Sequence, residues 1–577
     1  MKNVAQPDSA AEAALRAEAR RPWRPLPWHL VLLPVFFVLS FYSANMGEYP
    51  ARAMLAPLMG SLLLAALALL LALAVVRHVR PAALVTALFV ALFMTYGRGQ
   101  AVLDRLAHRL AMAWAWKHPH AVLGPIWCVA LALGGWLILR KRRDPVRLTR
   151  AVNLVALCLL AAPAFQVAMQ KMGQKGGPDV QHEQAAPAEP PASMPHIVYV
   201  VLDGYARGDV LRDLYGYDNT EFLDFLRSKG FRILSKAHCN YIRTSFSQPA
   251  TLNMTYLDAL AAEQDPHSTN LLPAQRLIRN NLVCRELRQR GCQIVHFASG
   301  YSATDSLEGA EEWGPPQWLD EFSTGFLYTT AGGLAMDHLG DWIDDPFEQH
   351  RQRVLYALEH LGEALVSERP RFVYAHVICP HPPFVFGADG PRDPGHAYSL
   401  IDGGEQLAYF HMSRQDYISR YRDQLEFLNR RLRTTISDML AKSSRPVVIV
   451  LQSDHGPGAG LNSNDAAASD LYERLGILSA VRFPDGDYSS LPDGLSAVNT
   501  FRVVLNRCLG TRYELLGDKC YISDWSRPYV LREVSPPQGP RAGPDSREGA
   551  SARPRADDAG CRATTKPGSP NKADDGD

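Results

Sequence analysis

Four short segments hold the residue types from which a catalytic centre can be built. IVYVVLDG (197–204) ends in Asp203 and Gly204. QSDHG (452–456) sets Asp454 beside His455, with Gly456 allowing a tight turn. HVICPHPPF (376–384) carries His376 and His381, the second held between prolines that fix the backbone direction. CNYIRTSFSQPATLNM (239–254) is crowded with hydroxyls: Thr244, Ser245, Ser247 and Thr251. A carboxylate and an imidazole joined by a distant carboxylate make an O/N donor set suited to Zn2+ or Mn2+. An imidazole on a rigid loop suits anion contact or proton transfer. A hydroxyl becomes a useful nucleophile when a metal lowers its pKa. Composition does not choose among the four hydroxyls. Each segment also has a plain structural use: Asp203 as a turn or cap, His376 as a core histidine, His381 on a surface loop, a hydroxyl as a helix cap.

The elements around these segments decide whether they can meet. IVYVVLD (197–203), CQIVHFA (292–298), FVYAHVI (372–378) and VVIVLQSD (447–454) are β-branched, bounded by breakers and nearly free of polar interruption. They read as strands buried on both faces. Helical patterns lie between them, among them 219–230 with a Gly stop and 416–440; 497–510 reads as a closing helix in which Asn499 and Arg502 are structural. Strand–helix alternation predicts an α/β domain with a mainly parallel sheet. Ligands of such sheets sit beyond the carboxyl ends of the strands. Three of the four strands end in Asp203, in His376 with His381, and in Asp454 with His455. That coincidence is the main functional signal.

The 577 residues divide sharply. Five apolar stretches precede residue 170: Leu26–Asn45, Met54–Val76, Pro81–Tyr96, Ala121–Leu139 and Val152–Met169. A membrane span needs about 20 apolar residues, so the second and fourth qualify easily and the third is the shortest. Thirteen Lys and Arg lie in the segments expected inside, against five outside, which predicts a cytoplasmic N-terminus. Five crossings then place the rest of the chain on the far side. AVLDRLAHRLAMAWAWK (101–117) fits either a helix lying on the outer membrane surface or a loop helix packed on the bundle. The expected organisation is a cytoplasmic N-terminus (1–25), a five-helix membrane domain (26–169), a flexible linker (170–195), a catalytic domain (196–534) and a disordered tail (535–577) that lacks aromatic and large aliphatic residues. Sixty Lys+Arg balance 59 Asp+Glu, which gives no support to a nucleic-acid binder.

The order of motifs resembles the alkaline phosphatase/sulfatase superfamily: a strand ending in Asp203, a hydroxyl segment some 40 residues on, a His381 loop of the PHPP type, and a late strand ending in SDHG. With the membrane half added, the chain resembles bacterial phosphoethanolamine transferases of lipid A and lipoteichoic acid synthases. The resemblance implies Asp203, Asp454, His455 and Thr244 as ligands of one divalent metal, Zn2+ or Mn2+. It implies Thr244 as the nucleophile, with Ser245 and Ser247 as fallbacks, and His381 as the group that steadies the phosphate or protonates the leaving group, with His376 beside it at the substrate. Three departures bear on activity. The sequence shows no second complete metal set, which favours one catalytic metal over a two-zinc alkaline phosphatase. Asp203 is followed by Gly204 where sulfatases pair two Asp. The segment Thr244-Ser245-Phe246-Ser247 lacks the Pro and Arg of the sulfatase formylglycine motif, and Thr cannot become that aldehyde.

The implied function is a metal-dependent phosphotransferase in a bacterial inner membrane, its catalytic domain on the periplasmic or extracellular side. It would move a phospho-head group from a lipid donor to an envelope lipid or glycan through a phospho-threonine. A phosphodiesterase, phosphatase or sulfatase-like hydrolase is the alternative of the same family, and a non-catalytic sensor or scaffold the alternative of another class. An oxidising far side suggests a disulfide between Cys508 and Cys520, with Cys284 and Cys292 as a second candidate pair.

Overall fold

A computed structural model describes residues 25–109, 118–140, 144–173, 194–316, 319–338, 345–393, 395, 398–536 and 539. The expected N-terminal segment, most of the linker and nearly all of the tail lie outside the described residues.

Five helices open the described chain: α1 (His29–Asn45), α2 (Leu55–Val76), α3 (Val79–Arg109), α4 (Pro119–Leu139) and α5 (Pro145–Gly173). Four of them, α2 to α5, are long and apolar enough to cross a membrane. Of the five expected spans, these four are met in length and composition, and α1 is apolar but shorter. The first helix has 17 residues, because the Pro-rich stretch before His29 delays its start. The third, expected to be the shortest, continues without a break to Arg109 and absorbs the first half of the 101–117 segment. Residues 110–117 lie outside the described part. Leu55, Met59, Leu63, Leu67, Leu70 and Val75 stay exposed along α2, an apolar surface that suits lipid and not water. Inside the bundle, the His29 ring meets Asn153 Oδ1 at 2.8 Å and the Ala83 carbonyl at 3.3 Å.

The globular part is a mixed α/β unit on a seven-stranded sheet. Its strands are β1 (His196–Leu202), β2 (Arg232–Ile233), β3 (Gln293–Phe297), β4 (Glu311–Trp313), β5 (Arg371–Val377), β6 (Val447–Gln452) and β7 (Ser479–Arg482), in the spatial order β2-β7-β6-β1-β5-β3-β4. The pairings β6–β1, β1–β5, β5–β3 and β3–β4 are parallel, while β7 runs antiparallel to β6 and β2. Strand β1 is central and buried throughout. Side chains alternate across a strand: Val198, Val200 and Leu202 enter one core, and Ile197, Tyr199 and Val201 the other.

The helices that matter for the site are α6 (Thr244–Asn253), α7 (Leu272–Arg279), α8 (Glu321–Tyr328), α9 (Gly403–Tyr409), α10 (Arg414–Lys442) and α11 (Thr500–Leu509). Helix α10 covers the first core with Tyr417, Tyr421, Leu425 and Leu428, and α11 covers the second with Phe501, Val504 and Leu505. Arg502 on α11 donates to the Met254 and Glu514 carbonyls, which fits the structural role expected of it.

The expected disulfides are not formed: Cys508, Cys520, Cys284 and Cys292 are all free thiols. Cys520 Sγ faces the Cys239 carbonyl at 3.4 Å, away from Cys508. Burial pushes the Cys508 thiol up to about 12 and Cys284 up to about 11, which keeps both protonated and unreactive.

Candidate active site

The parallel register brings three strand ends together. Asp203 follows β1, and its N–H donates to the Val377 carbonyl at the end of β5 at 3.0 Å. His381 N–H returns the contact to the Asp203 carbonyl at 2.9 Å. Gly204 makes the turn possible with φ of +74°, a conformation costly for any residue with a Cβ. On the other side of β1, β6 ends at Gln452, and Asp454 and His455 follow.

One side-chain ligand atom from each of Asp203, Asp454 and His455 lies within 4.8 Å of the other two, and all three residues are buried. His455 Nε2 is 3.5 Å from Asp203 Oδ1 and 3.6 Å from Asp454 Oδ2. Neither carboxylate oxygen has a hydrogen-bond donor. Two buried carboxylates that share one imidazole, each with an unsatisfied oxygen, are costly unless a cation sits between them. The residues therefore fit a divalent metal, and these are the donors that would hold it.

Helix α6 delivers the hydroxyl. Thr244 is its first residue, and its Oγ1 lies 3.1 Å from His455 Nε2, at the edge of the carboxylate cluster. The other three hydroxyls are spent elsewhere. Ser247 donates to the Asp454 carbonyl at 2.6 Å, Ser245 pairs with the Tyr301 hydroxyl at 3.2 Å, and Thr251 donates back to the Ser247 carbonyl at 2.9 Å. The positive end of the helix dipole lies at Thr244, which favours negative charge there.

The two histidines of the Pro-rich segment stand on different sides of Asp203. His376 belongs to β5, and its side chain is fully buried; Nδ1 meets Thr304 Oγ1 at 2.7 Å and Nε2 lies 3.4 Å from Asp203 Oδ2. His381 Nε2 is 3.4 Å from Asp402 Oδ1, while Nδ1 meets the Pro382 carbonyl. Burial alone would lower the pKa of His381, but Asp203 and Asp402 outweigh it and push it up to about 9. Asp203 is likewise burdened by burial, and the three histidines around it hold it below the usual carboxylate range.

Asp402 was not singled out in the sequence. It caps α9 by accepting from Gly403 N at 2.7 Å, and its other oxygen takes the buried Arg474 guanidinium. Burial would raise its pKa, but Arg474 and then His381 hold it well down. Arg474 also donates to the Ile242 and Gly456 carbonyls, so it ties the α6 approach, the Asp454–His455 turn and Asp402 together. An Asp-Gly-Gly before a helical run is a cap signal in sequence; its second contact is long-range and carries no local mark.

No family model and no curated protein matches the chain. Solved structures do. The C-terminal periplasmic domain of EcEptC from Escherichia coli is 13% identical, over 61% of this chain and 96% of that one, with a TM-score of 0.39. The C-terminal periplasmic domain of phosphoethanolamine transferase EptC from Campylobacter jejuni is 11% identical, over 56% and 92%, with a TM-score of 0.34. The phosphonate monoester hydrolase of Agrobacterium radiobacter is 12% identical, over 57% and 80%, with a TM-score of 0.36.

Proposed function

We propose that this chain is a membrane-anchored, metal-dependent phosphotransferase of the alkaline phosphatase/sulfatase superfamily, with Thr244 as its nucleophile. One observation carries the reading: the Thr244 hydroxyl stands at a helix N-terminus, 3.1 Å from His455 Nε2 and beside two buried carboxylates with unsatisfied oxygens. Asp203, Asp454, His455 and the Thr244 oxygen would hold one Zn2+ or Mn2+. Bound there, the cation would lower the hydroxyl pKa and offset negative charge on the phosphoryl oxygens.

The remaining chemistry falls to the chain. Thr244 Oγ1, its proton given up to solvent as the lowered pKa would allow, forms the new bond to phosphorus as the bond to the leaving alcohol breaks. His381, kept protonated by Asp402 and Asp203, gives its proton to the departing oxygen. An acceptor hydroxyl then attacks the phospho-threonine and gives its proton to His381, as the bond from phosphorus to Thr244 Oγ1 breaks. His376 acts as a support for Asp203 in this reading. The four apolar helices favour a lipid-borne donor and an envelope lipid or glycan acceptor, in a bacterial inner membrane with the site on its outer face.

The test is mass spectrometry of the full chain after exposure to membrane lipids. A covalent phospho-group on the Thr244 peptide is expected, absent in Thr244→Ala and retained at reduced yield in Thr244→Ser. Wild-type turnover by Thr244→Ala with its metal in place would overturn the assignment. Label from the donor head group that appears only in water, never on a second lipid or glycan, would make the enzyme a hydrolase.

A further inference from the structure

The residue before the nucleophile is an arginine with nothing to hold. Two buried guanidiniums nearby are tied down: Arg474 bonds two carbonyls and Asp402, and Arg502 bonds the Met254 and Glu514 carbonyls. Arg243 has no hydrogen-bond or ion-pair partner among the described residues, and its Nη1 is buried. A buried donor left unmade costs free energy that a structure normally avoids.

Its position is nonetheless fixed. The Arg243 carbonyl accepts from Phe246 N and Ser247 N, which locks the residue as the cap of α6. The guanidinium lies over the Trp525 ring, 4.5 Å from its centre, with Phe246 at 5.9 Å. Burial lowers its pKa, while Tyr301, Glu48 and Glu405 act from a distance to keep the charge. Neither carboxylate is in ion-pair reach. Aromatic faces and remote carboxylates thus orient a guanidinium without occupying its hydrogen-bonding edge. Tyr301 links the two features, because its hydroxyl meets Ser245 next to Thr244.

We infer that Arg243 is a substrate ligand, whose guanidinium takes the anionic oxygens of the phosphoryl compound that reacts at Thr244. The inference rests on the reading of Thr244 as nucleophile. A planar fork suits a phosphate edge in a way that a lysine does not.

The experiment uses the full chain in detergent, loaded with Zn2+, and inorganic phosphate as the probe. Titration calorimetry of Arg243→Met should show phosphate binding about ten- to a hundredfold weaker than wild type, with metal content unchanged. Arg243→Lys should recover part of that loss. Phosphate affinity within about twofold of wild type in Arg243→Met would overturn the inference, as would a lysine variant no better than the methionine one. A measurement on wild-type protein needs no variant to fold: phosphate should protect Arg243 from phenylglyoxal, and modification indifferent to phosphate would overturn the inference too. A protein that binds phosphate through Arg243 but never phosphorylates Thr244 would refute the proposed function and leave this inference standing. A protein that phosphorylates Thr244 with Arg243 replaced and phosphate affinity unchanged would do the reverse.

Discussion

Replacing Asp402 by Asn separates the charge of His381 from its orientation. Asparagine keeps the shape of the α9 cap and an oxygen for Gly403 N or Arg474. It removes the negative charge 3.4 Å from His381 Nε2. Burial by itself would lower the pKa of the ring; Asp203 and Asp402 together lift it to about 9. A cation on Asp203 would cancel that carboxylate's pull and leave Asp402 as the main support. A close opposite charge is worth about one to three pKa units, each about 1.4 kcal/mol. The alkaline limb of the kcat/KM profile should therefore fall by about one to two pH units in Asp402→Asn. Above that limb, an alkyl phosphodiester, whose alcohol needs a proton to leave, should lose about ten- to a hundredfold in kcat. A nitrophenyl ester, whose phenolate leaves unaided, should lose about threefold or less. The assay is the pH–rate profile of the full chain on both esters. Equal losses on the two, or an unmoved alkaline limb, would refute proton delivery by His381 and leave Asp402 a purely positional role.

Two further perturbations read the charges directly. Removing metal from the wild type should lower its melting temperature, since saturation at about a hundred times Kd adds about 2.7 kcal/mol; in Asp454→Asn the metal response should vanish while the metal-free protein melts higher, because two unsatisfied carboxylates no longer face each other. A metal response retained in Asp454→Asn would remove Asp454 from the ligand set. Glu473 is fully buried, and burial pushes its pKa up to about 7 from 4.5 despite bonds from Tyr215 and Gly460. Between those values the folded state holds a proton the unfolded state has lost, so stability should fall as pH rises through that window, by at most about 3 kcal/mol. Glu321, also raised to about 7, shares the window. Glu473→Gln should then remove about half of the slope in denaturation midpoints measured from pH 4.5 to 7, and an unchanged slope would show that Glu473 does not titrate there.

The sheet and the clustered carboxylate and imidazole residues were legible because both leave local marks. Strands β1, β3, β5 and β6 are continuous β-branched runs, and each begins and ends within two residues of the expected place. Polar residues that close such runs stand out, and Asp203, Asp454 and His455 do meet. What was missed depends on contacts between distant segments. Asp402 and Arg474 lie 72 residues apart and pair only after α9 packs beside the Asp454 turn, where Gly403 comes so close to Gly458 that a Cβ would sit 2.0 Å from its carbonyl. Arg243 looked like any charge before a helix, and only the absence of a partner in three dimensions marks it. The cysteine pairing failed for a related reason: sequence gives separations along the chain, whereas Cys508 and Cys520 both pack in the second core as free thiols, Cys520 facing the Cys239 carbonyl.

The contacts between bundle and globular part change how the membrane half bears on the chemistry. A flexible tether would only raise the local concentration of a membrane substrate. Here the loop between α1 and α2 packs on the wall of the site. The Gly47 carbonyl accepts from Leu271 N before α7 at 2.7 Å, and a Cβ at Gly47 would lie 2.7 Å from the Thr269 carbonyl. The next residues reach further in. The Glu48 carbonyl faces Ser302, Tyr49 lies against Phe322 at 5.3 Å, and Glu321 accepts from Ser302 N at 2.9 Å. Ser302 follows Tyr301, whose hydroxyl meets Ser245 beside Thr244. Phe41 of α1 packs on Phe322 and Phe326 of α8, and the Phe93 carbonyl of α3 accepts from Ala331 N at 2.8 Å. The end of α1, the loop after it and the middle of α3 thus hold one side of the candidate site. Packed aromatic and backbone contacts of this kind position a group to within ångströms, which a 20-residue coil cannot do. The bundle in that sense braces the candidate site, and a globular part cut free at the linker would lose Glu48 and Tyr49 along with its anchor.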